Sequence, residues 1–334
     1  MKMLENISLK PYNTFHIETT ARYFSILNDT DSLQELPLGN QPLMVLGGGS
    51  NMLLTKNFDG LVVKNEIMGI ELVHEDPEFI YVSAGAGENW HGFVMHCISK
   101  GWGGLENLSL IPGSVGASPM QNIGAYGVEL EDVFWSLEAW HIQEKRIHTF
   151  TKSDCAFGYR ESVFKKSLKG KYIILKVTYR LHKKPVFHTS YGAITQELDR
   201  MGVTEYSVSA ISEAVIRIRT SKLPDPAIIG NAGSFFKNPV VSNETYEQLK
   251  ASFPTIVAFP QLDKSVKLAA GWLIEQCGWK GYRSGDAGCH ASQALVLVNY
   301  GNATGKQIYD LSEKILQSVI SRFGISLERE VNII

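Results

Sequence analysis

The chain of 334 residues has no run of 18 apolar residues, no Cys-x-x-Cys pair, no internal repeat and no low-complexity stretch. Each absence removes a class of protein. Without a long apolar run, no membrane-spanning helix is expected. Met1-Lys2-Met3-Leu4-Glu5-Asn6 lacks the apolar centre of a signal peptide. The four cysteines (Cys97, Cys155, Cys277 and Cys289) lie far apart, which argues against a disulfide scaffold or structural zinc and fits reduced thiols in a cytoplasmic protein. No metal site is expected; the Cys289-His290 pair has no second ligand at suitable spacing. An excess of one charge is lacking too. Lys+Arg number 32 against 34 Asp+Glu, a net charge of −2, so no general affinity for nucleic acid follows. The densest basic stretch, Lys165 to Lys171, reads as a solvated loop.

What remains has the composition of a globular protein, 44% apolar and 20% charged, long enough for about two domains or three small ones. Pro42–Leu46 and Gly60–Lys64 read as short buried strands, and Phe79–Ala84 as another. Trp90, Phe93, Val94, Cys97 and Ile98 share one helical face, and Gly101 stops that helix. Val133–Ile142 and Lys171–Leu181 alternate as long strands. Ser209–Thr220 is a helix burying Ile211, Ala214, Val215 and Ile218. Asp263 is the expected N-cap of a helix carrying Val266, Ala269, Ala270, Leu273 and Cys277, closed by Gly278. Thr304 caps a third helix, with Ile308, Leu311, Ile315 and Val319 inward and Gly324 as its stop; Ala294–Asn299 is an apolar strand. Helices interspersed among strands without a regular βαβ rhythm point to α+β. Boundaries are expected near 66 and near 212, giving segments 1–66, 67–212 and 213–334.

Three segments carry chemistry. Leu46-Gly47-Gly48-Gly49-Ser50-Asn51 follows an apolar strand; glycine turns offer backbone N–H groups to an anion, and Ser50 and Asn51 add side-chain donors. It is no Rossmann fingerprint, because the spacing fails at Met52, and Gly301–Lys306 misses a Walker loop, with Gln307 where a hydroxyl is needed. Ile111-Pro112-Gly113-Ser114-Val115-Gly116-Ala117-Ser118-Pro119, continuing through Gln121-Asn122-Ile123-Gly124-Ala125-Tyr126-Gly127, makes a long surface of small side chains for an extended dinucleotide. Gly230-Asn231-Ala232-Gly233-Ser234-Phe235-Phe236-Lys237-Asn238-Pro239 presents one hydroxyl beside two phenylalanines; Gly230 and Gly233 would let the backbone approach a ligand. A lone Gly-x-x-Gly-Ser is most often a tight turn.

Taken together and in this order, the three segments resemble the UDP-N-acetylenolpyruvoylglucosamine reductase family, type I, with matching pieces from about Asn13 to Glu330. The resemblance implies a two-subdomain FAD-binding fold of the vanillyl-alcohol-oxidase kind, formed by 1–66 and 67–212, and a C-terminal substrate-binding domain, 213–334, whose last strand returns to the active site. It implies non-covalent FAD held by Gly47, Gly48, Gly49, Ser50, Asn51, Gly113, Ser114, Val115, Gly116, Ile123, Gly124 and Ala125. It implies a reaction of peptidoglycan precursor synthesis. NADPH reduces the flavin, and hydride then passes to the enolpyruvyl ether of UDP-N-acetylglucosamine-enolpyruvate to give UDP-N-acetylmuramate. Ser234 matches the proton donor. Arg160, in Tyr159-Arg160-Glu161-Ser162, matches the residue that stabilises the dianionic intermediate, and Glu330 matches the partner of the same carboxylate, protonated or raised in pKa. Tyr191, in a loop over His188–Ile194, Lys222, Asn238 and Gln293 match substrate contacts. A monomer is expected. The pattern departs at Asn332, where the family usually has arginine, and that departure puts the local anchoring of Glu330 in question, more than its identity. Two other readings compete: another FAD oxidoreductase or oxidase of the same fold, and a flavin- or nucleotide-binding module without turnover.

Overall fold

A computed structural model describes residues 2–36, 39 and 41–334. The chain folds into two units, each drawn from more than one stretch of sequence. The first comprises Met1–Ile7, Ala21–Gly48 and Asp59–Ser221; the second comprises Ser8–Thr20, Gly49–Phe58 and Lys222–Ile334.

The first unit holds two sheets. In one, the strands run in the order Leu4–Ser8, Thr20–Leu27, Phe58–Asn65, Leu43–Leu46, the last two parallel with Leu43 opposite Leu61. The other is antiparallel, in the order Arg146–Thr151, Phe134–His141, Tyr172–His182, Phe79–Gly85, Ile70–Glu75. Side chains alternate across a strand, and here both faces are used. Ile173 and Leu175 pack with Leu27, Leu61 and Val63, while Ile174, Val177 and Tyr179 pack with Trp90, Phe93 and Val94. That double burial explains the apolar run Ile173-Ile174-Leu175 at the start of a strand that otherwise alternates. The helix Trp90–Ser99 begins at Asn89, whose Oδ1 accepts from Gly92 N at 2.9 Å, and ends before Gly101 at φ +73°. All five of its predicted inward residues are buried. The rings of Phe93 and Tyr179 meet at a tilt with centroids 4.8 Å apart, and the buried Tyr179 hydroxyl meets Ser118 Oγ at 2.9 Å, tying the sheet to the second glycine-rich segment. The helices Gly192–Arg200 and Val208–Lys222 pack through Ile194, Leu198, Ile211, Ala214, Val215 and Ile218.

The second unit has a sheet in the order Gly230–Ser234, Val296–Asn299, Ala287–Cys289, Arg283–Ser284 and a smaller one in the order Val240–Val241, Val266–Leu268, Ala258–Pro260. Its helices are Asn243–Ser252, Ala270–Gln276 and Gly305–Phe323. Thr304 and Gln307 form a reciprocal capping box on the last of these, and Gly324 closes it at φ +68°. The chain's last strand, Asn332–Ile333, lies parallel to Met52–Leu53.

Three expectations are corrected. Asp263 does not cap a helix: its carboxylate accepts from Ser265 N and Oγ, Val266–Leu268 is a strand, and the helix begins at Ala270. Helical spacing of Val266, Ala269 and Ala270 was a coincidence of a strand running into a helix. The strand within Pro42–Leu46 is largely unburied, with Val45 at 38% exposure, because its open face lines the cavity described below. The last apolar strand starts at Val296, two residues late, although Ala294 is buried.

Candidate active site

In the first unit, the two glycine-rich segments touch although more than sixty residues separate them in sequence. A Cβ on Gly48 would lie 2.8 Å from Gly113 Cα, and one on Gly47 would collide with Ser114 Oγ. Bare backbone is therefore required on both sides. Gly113 O accepts from Trp90 N at 3.0 Å, Val115 N donates to Glu88 O at 2.9 Å, and Gly116 N donates to Ala86 O at 2.9 Å. These bonds lay residues 113–116 along residues 86–90, and they engage the Val115 and Gly116 N–H groups within the protein. Ser114 Oγ is buried and has no protein partner. A buried hydroxyl left unpaired is costly, so a ligand acceptor or donor is called for there. Beside it lies a cavity of about 120 Å3 lined by Val45, Gly47, Ala86, Ser114, Gly116 and Ala117, among others. The cradle and the orphaned hydroxyl fit a flavin dinucleotide.

Farther along, Ile123 N donates to Ser118 O at 3.2 Å, and Gly124–Ala125 pairs with Val128–Glu129. Arg160 reaches this hairpin, donating from Nη2 to Gly124 O at 2.7 Å, and approaches Glu129 Oε1 at 4.0 Å. Arg160 (φ +56°), Tyr126 (φ +51°) and Leu110 (φ +56°) all hold left-handed backbone conformations, uncommon for such side chains and concentrated at this site. Tyr191 is 47% exposed, and its ring meets that of Tyr126 edge-on at 5.4 Å.

In the second unit, a bulge between Asn231 and Ser234 interrupts the pairing with Val296–Asn299, and Gly233 at φ +69° supplies the turn that re-aims Ser234. Gly230 has a different task from the one expected. A Cβ there would meet the backbone of Phe15, so the close approach is to the protein's own chain. Ser234 is followed by two buried phenylalanines and by Lys237, whose Nζ binds Glu328 Oε1 at 2.6 Å. Lys237 N donates to Glu328 O at 2.8 Å and Glu330 N to Phe235 O at 2.9 Å, with Phe236 bridged to Arg329. The chain thus sets Glu330 beside the Ser234 turn. Arg329 fixes that stretch from the other side through Ser312 Oγ, Glu313 and the ring of Tyr309. The anchor beyond Glu330 is Asn332 itself: its N and Nδ2 both donate to Asn51 O, at 3.2 and 2.8 Å, while Asn51 Nδ2 donates to Glu330 O at 3.3 Å. Asn51's amide is therefore engaged with the stretch that carries Glu330. Gly49 (φ +61°) packs against Tyr12 and Asn13, and Ser50 follows it, partly buried.

Asn238 and Gln293 are brought together. Asn238 Oδ1 accepts from Ala270 N at 3.0 Å, and Gln293 lies against Gly271 in the first turn of the same helix. Lys222 is exposed at the end of its helix.

Over 98% of its length the chain is 52% identical to the UDP-N-acetylenolpyruvoylglucosamine reductase of Pseudomonas putida, covering 98% of that protein. Against the enzyme of the same name from Amoebophilus asiaticus it is 52% identical with all of both chains covered. The chain belongs to the UDP-N-acetylenolpyruvoylglucosamine reductase family. Family models agree: an FAD binding domain matches residues 32–149, and the C-terminal domain of UDP-N-acetylenolpyruvoylglucosamine reductase matches residues 225–334. The crystal structure of the reductase from Thermus caldophilus superposes with a TM-score of 0.71 at 24% identity, covering 99% of each chain, and shows the same fold. The expected fold class, an FAD-binding fold followed by an α+β C-terminal domain, is the one found.

Sequence reading missed Tyr126, Asn107 and Arg219, whose Nε donates to Leu110 O at 3.1 Å, in this reductase-family chain. Buried Asn107 donates from Nδ2 to Tyr126 O at 3.0 Å and to His188 O at 2.8 Å, holding the glycine hairpin and the base of the Tyr191 loop together. Tyr126 was legible in its motif; nothing local marked the other two.

Proposed function

We propose that the protein is an NADPH-dependent flavoenzyme that reduces UDP-N-acetylglucosamine-enolpyruvate to UDP-N-acetylmuramate for peptidoglycan precursors. The observation that carries this beyond family membership is the backbone pairing that holds Glu330 next to the Ser234 turn, in a chain about half identical to named reductases. Bound FAD, charged by NADPH, would supply hydride to the methylene carbon of the substrate. In this reading Gly47, Gly48, Gly113, Ser114, Val115, Gly116, Ile123, Gly124 and Ala125, with Gly49, Ser50 and Asn51, hold the cofactor without a covalent bond. Hydride addition places an electron pair on the carbon next to the carboxylate. Arg160 spreads that charge by binding the carboxylate, its permanent charge and planar fork suiting the task. Glu330 bonds the same carboxylate. Ser234 Oγ then gives its proton to the carbanionic carbon; a hydroxyl is a weak acid, but the carbon is a far stronger base. Aimed charge and a placed acid are worth about 10²–10³-fold and 10²–10⁴-fold respectively. Tyr191, Lys222, Asn238 and Gln293 bind the nucleotide sugar, the helix-capping role of Asn238 fixing its orientation. Segments 1–66 and 67–212 form the flavin-binding part and 213–334 the substrate-binding part of a cytoplasmic monomer; the four unpaired cysteines support that compartment.

Anaerobic titration of the yellow protein with NADPH, followed by the enolpyruvyl substrate, tests the reading. Bleaching and then recolouring by substrate are expected. Bleaching reversed by oxygen alone would indicate an oxidase, and no bleaching at all a binding module.

A further inference from the structure

The helix Trp90–Ser99 opens against residues 108–113, and its first two residues hold that stretch at three points. Trp90 Nε1 donates to Leu108 O at 2.9 Å, Trp90 N donates to Gly113 O at 3.0 Å, and His91 Nδ1 accepts from Leu110 N at 3.0 Å. Of these three bonds, the last alone involves a group that titrates near neutral pH. Leu110 needs a clamp, because it is left-handed at φ +56°, a conformation that a leucine side chain disfavours. Its carbonyl is held as well, accepting from Arg219 Nε at 3.1 Å. Side chains thus grip both polar backbone groups of one strained residue.

The residues after Leu110 make its conformation matter. Ile111 precedes a proline, which confines it to extended backbone, and the Pro112 ring fixes its own φ. Neither can absorb a change at Leu110. Such a change passes on to Gly113, whose Cα sits too close to Gly48 for a side chain there. A backbone N–H can only donate, so His91 Nδ1 is unprotonated and the neutral ring carries its hydrogen on Nε2. A proton on Nδ1 would set two N–H groups against each other. Burial first, and then the charge of Arg219 on the same leucine, hold the His91 pKa below the ordinary histidine value. The carboxylates of the adjoining segments are turned elsewhere: Glu88 accepts from Gly69 N at 2.7 Å and Glu106 from Gly104 N at 2.6 Å.

Resting on the flavin reading above, we propose that His91 is a positioning residue for the flavin cradle, its neutral imidazole holding Leu110 left-handed and so setting residues 111–113 against Gly48. In acid this clamp opens. With the folded pKa below the usual one, the bond is fully present above the ordinary histidine range and is lost as pH falls through the lower, folded value. The alternative is a side chain that merely fills space at the helix start, and it predicts no dependence on the acceptor at Nδ1.

The test uses FAD-loaded protein. Release of FAD on dilution is followed by flavin fluorescence at about pH 8 and about pH 5, on either side of the ordinary histidine value, for wild type, His91→Asn and His91→Phe. Asparagine Oδ1 takes the place of Nδ1 as an acceptor but does not titrate; phenylalanine keeps a ring and accepts nothing. At the higher pH His91→Phe should hold FAD about 10-fold more weakly than wild type, the scale of a lost hydrogen bond that leaves a donor unpaired. His91→Asn should stay within about threefold of wild type there, and its affinity should fall about 10-fold less than that of wild type on acidification. Wild-type affinity in His91→Phe, loss of affinity in His91→Asn equal to that in His91→Phe, or the same acid weakening in wild type and His91→Asn would each overturn the proposal. If His91→Phe does not fold, long-range proton–nitrogen spectra of histidine-labelled wild type decide, the His91 signal being assigned by its loss in His91→Asn. A hydrogen on Nε2 and a pKa below the usual histidine value support the proposal, and a hydrogen on Nδ1 overturns it. Wild-type protein that shows this tautomer but binds no FAD would defeat the flavin reading and leave the clamp on Leu110 standing.

Discussion

Ser234 follows Gly233, a left-handed residue in a bulge that breaks the strand pairing between Asn231 and Ser234. In the proposed reaction, hydride transfer from NADPH needs no proton from it. In Ser234→Ala the reductive half-reaction should therefore survive, while reoxidation by enolpyruvyl substrate slows by about 10²–10⁴-fold, the range for a lost general acid. Ser234→Cys should recover part of the loss. Rapid mixing that shows wild-type reoxidation in Ser234→Ala would remove Ser234 as the acid. Gly48 makes a prediction of another kind. Its missing side chain lets the backbone approach Gly113 Cα, so Gly48→Val wedges the two glycine segments apart. The flavin-to-protein absorbance ratio should fall; full occupancy would show that the contact is not needed. In their proposed roles Lys222 and Tyr191 touch parts of the substrate remote from the reacting carbons, so Lys222→Ala and Tyr191→Phe should mainly raise KM, with some loss of kcat allowed because remote binding energy feeds into turnover. Wild-type steady-state constants in both would leave those assignments unsupported.

At the scale of elements, the end strand Asn332–Ile333 is the most informative. It bonds Asn51 O, Leu53 O and Thr55, the last through Ile334 O at 2.8 Å to N and 2.7 Å to Oγ1. Asn332→Ala removes one side-chain bond and should cost about 0.5–1.5 kcal/mol. Deleting 332–334 removes them all and should free Glu330, lowering kcat in protein that still binds FAD. A truncated protein with full kcat would show that Glu330 is held well enough by Phe235, Asn51 and the bonds of Glu328 and Arg329. Helices were the most legible elements, since caps and inward faces lie within a few residues of each other: the Thr304–Gln307 box and the Trp90 face are local patterns. The same local logic misplaced Asp263, because a two-residue turn feeding a three-residue strand mimics a helix start. Pairings such as Phe236 with Arg329, and the Arg219 contacts with Leu110 and Tyr126, join residues about a hundred positions apart and leave no local periodicity to read. Family resemblance named Ser234, Arg160 and Glu330, but the reasons they are held came only with the structure.

For the molecule as a whole, burial governs thiol chemistry. Cys155 and Cys289 are pushed up to about 12 by burial, and Cys97 is raised further by the same cause, while half-buried Cys277 is raised as well. Thiolate is the reactive form, so native protein at pH 8 should give no more than one slowly reacting thiol to Ellman's reagent, from Cys277. All four should react in denaturant; several fast thiols in the native state would contradict the packing. Denaturation should also release intact FAD into the supernatant, and flavin retained by the precipitated polypeptide would overturn the non-covalent assignment. Among the described residues no helix is long and apolar enough to cross a membrane.

The pairing of residues 51–55 with the end of the chain also has a consequence for synthesis on the ribosome. Asn51 and Asn332 are 281 positions apart, and the stretch Ser8–Thr20 waits for Asn231 and Asn299 in the same way. Both early stretches emerge more than two hundred residues before their partners. The nascent chain must keep Met52, Leu53 and Leu54, all buried in the folded protein, from other apolar surfaces until those partners are made. Late, long-range closure of this kind is slow, because loop entropy is lost before any contact is gained.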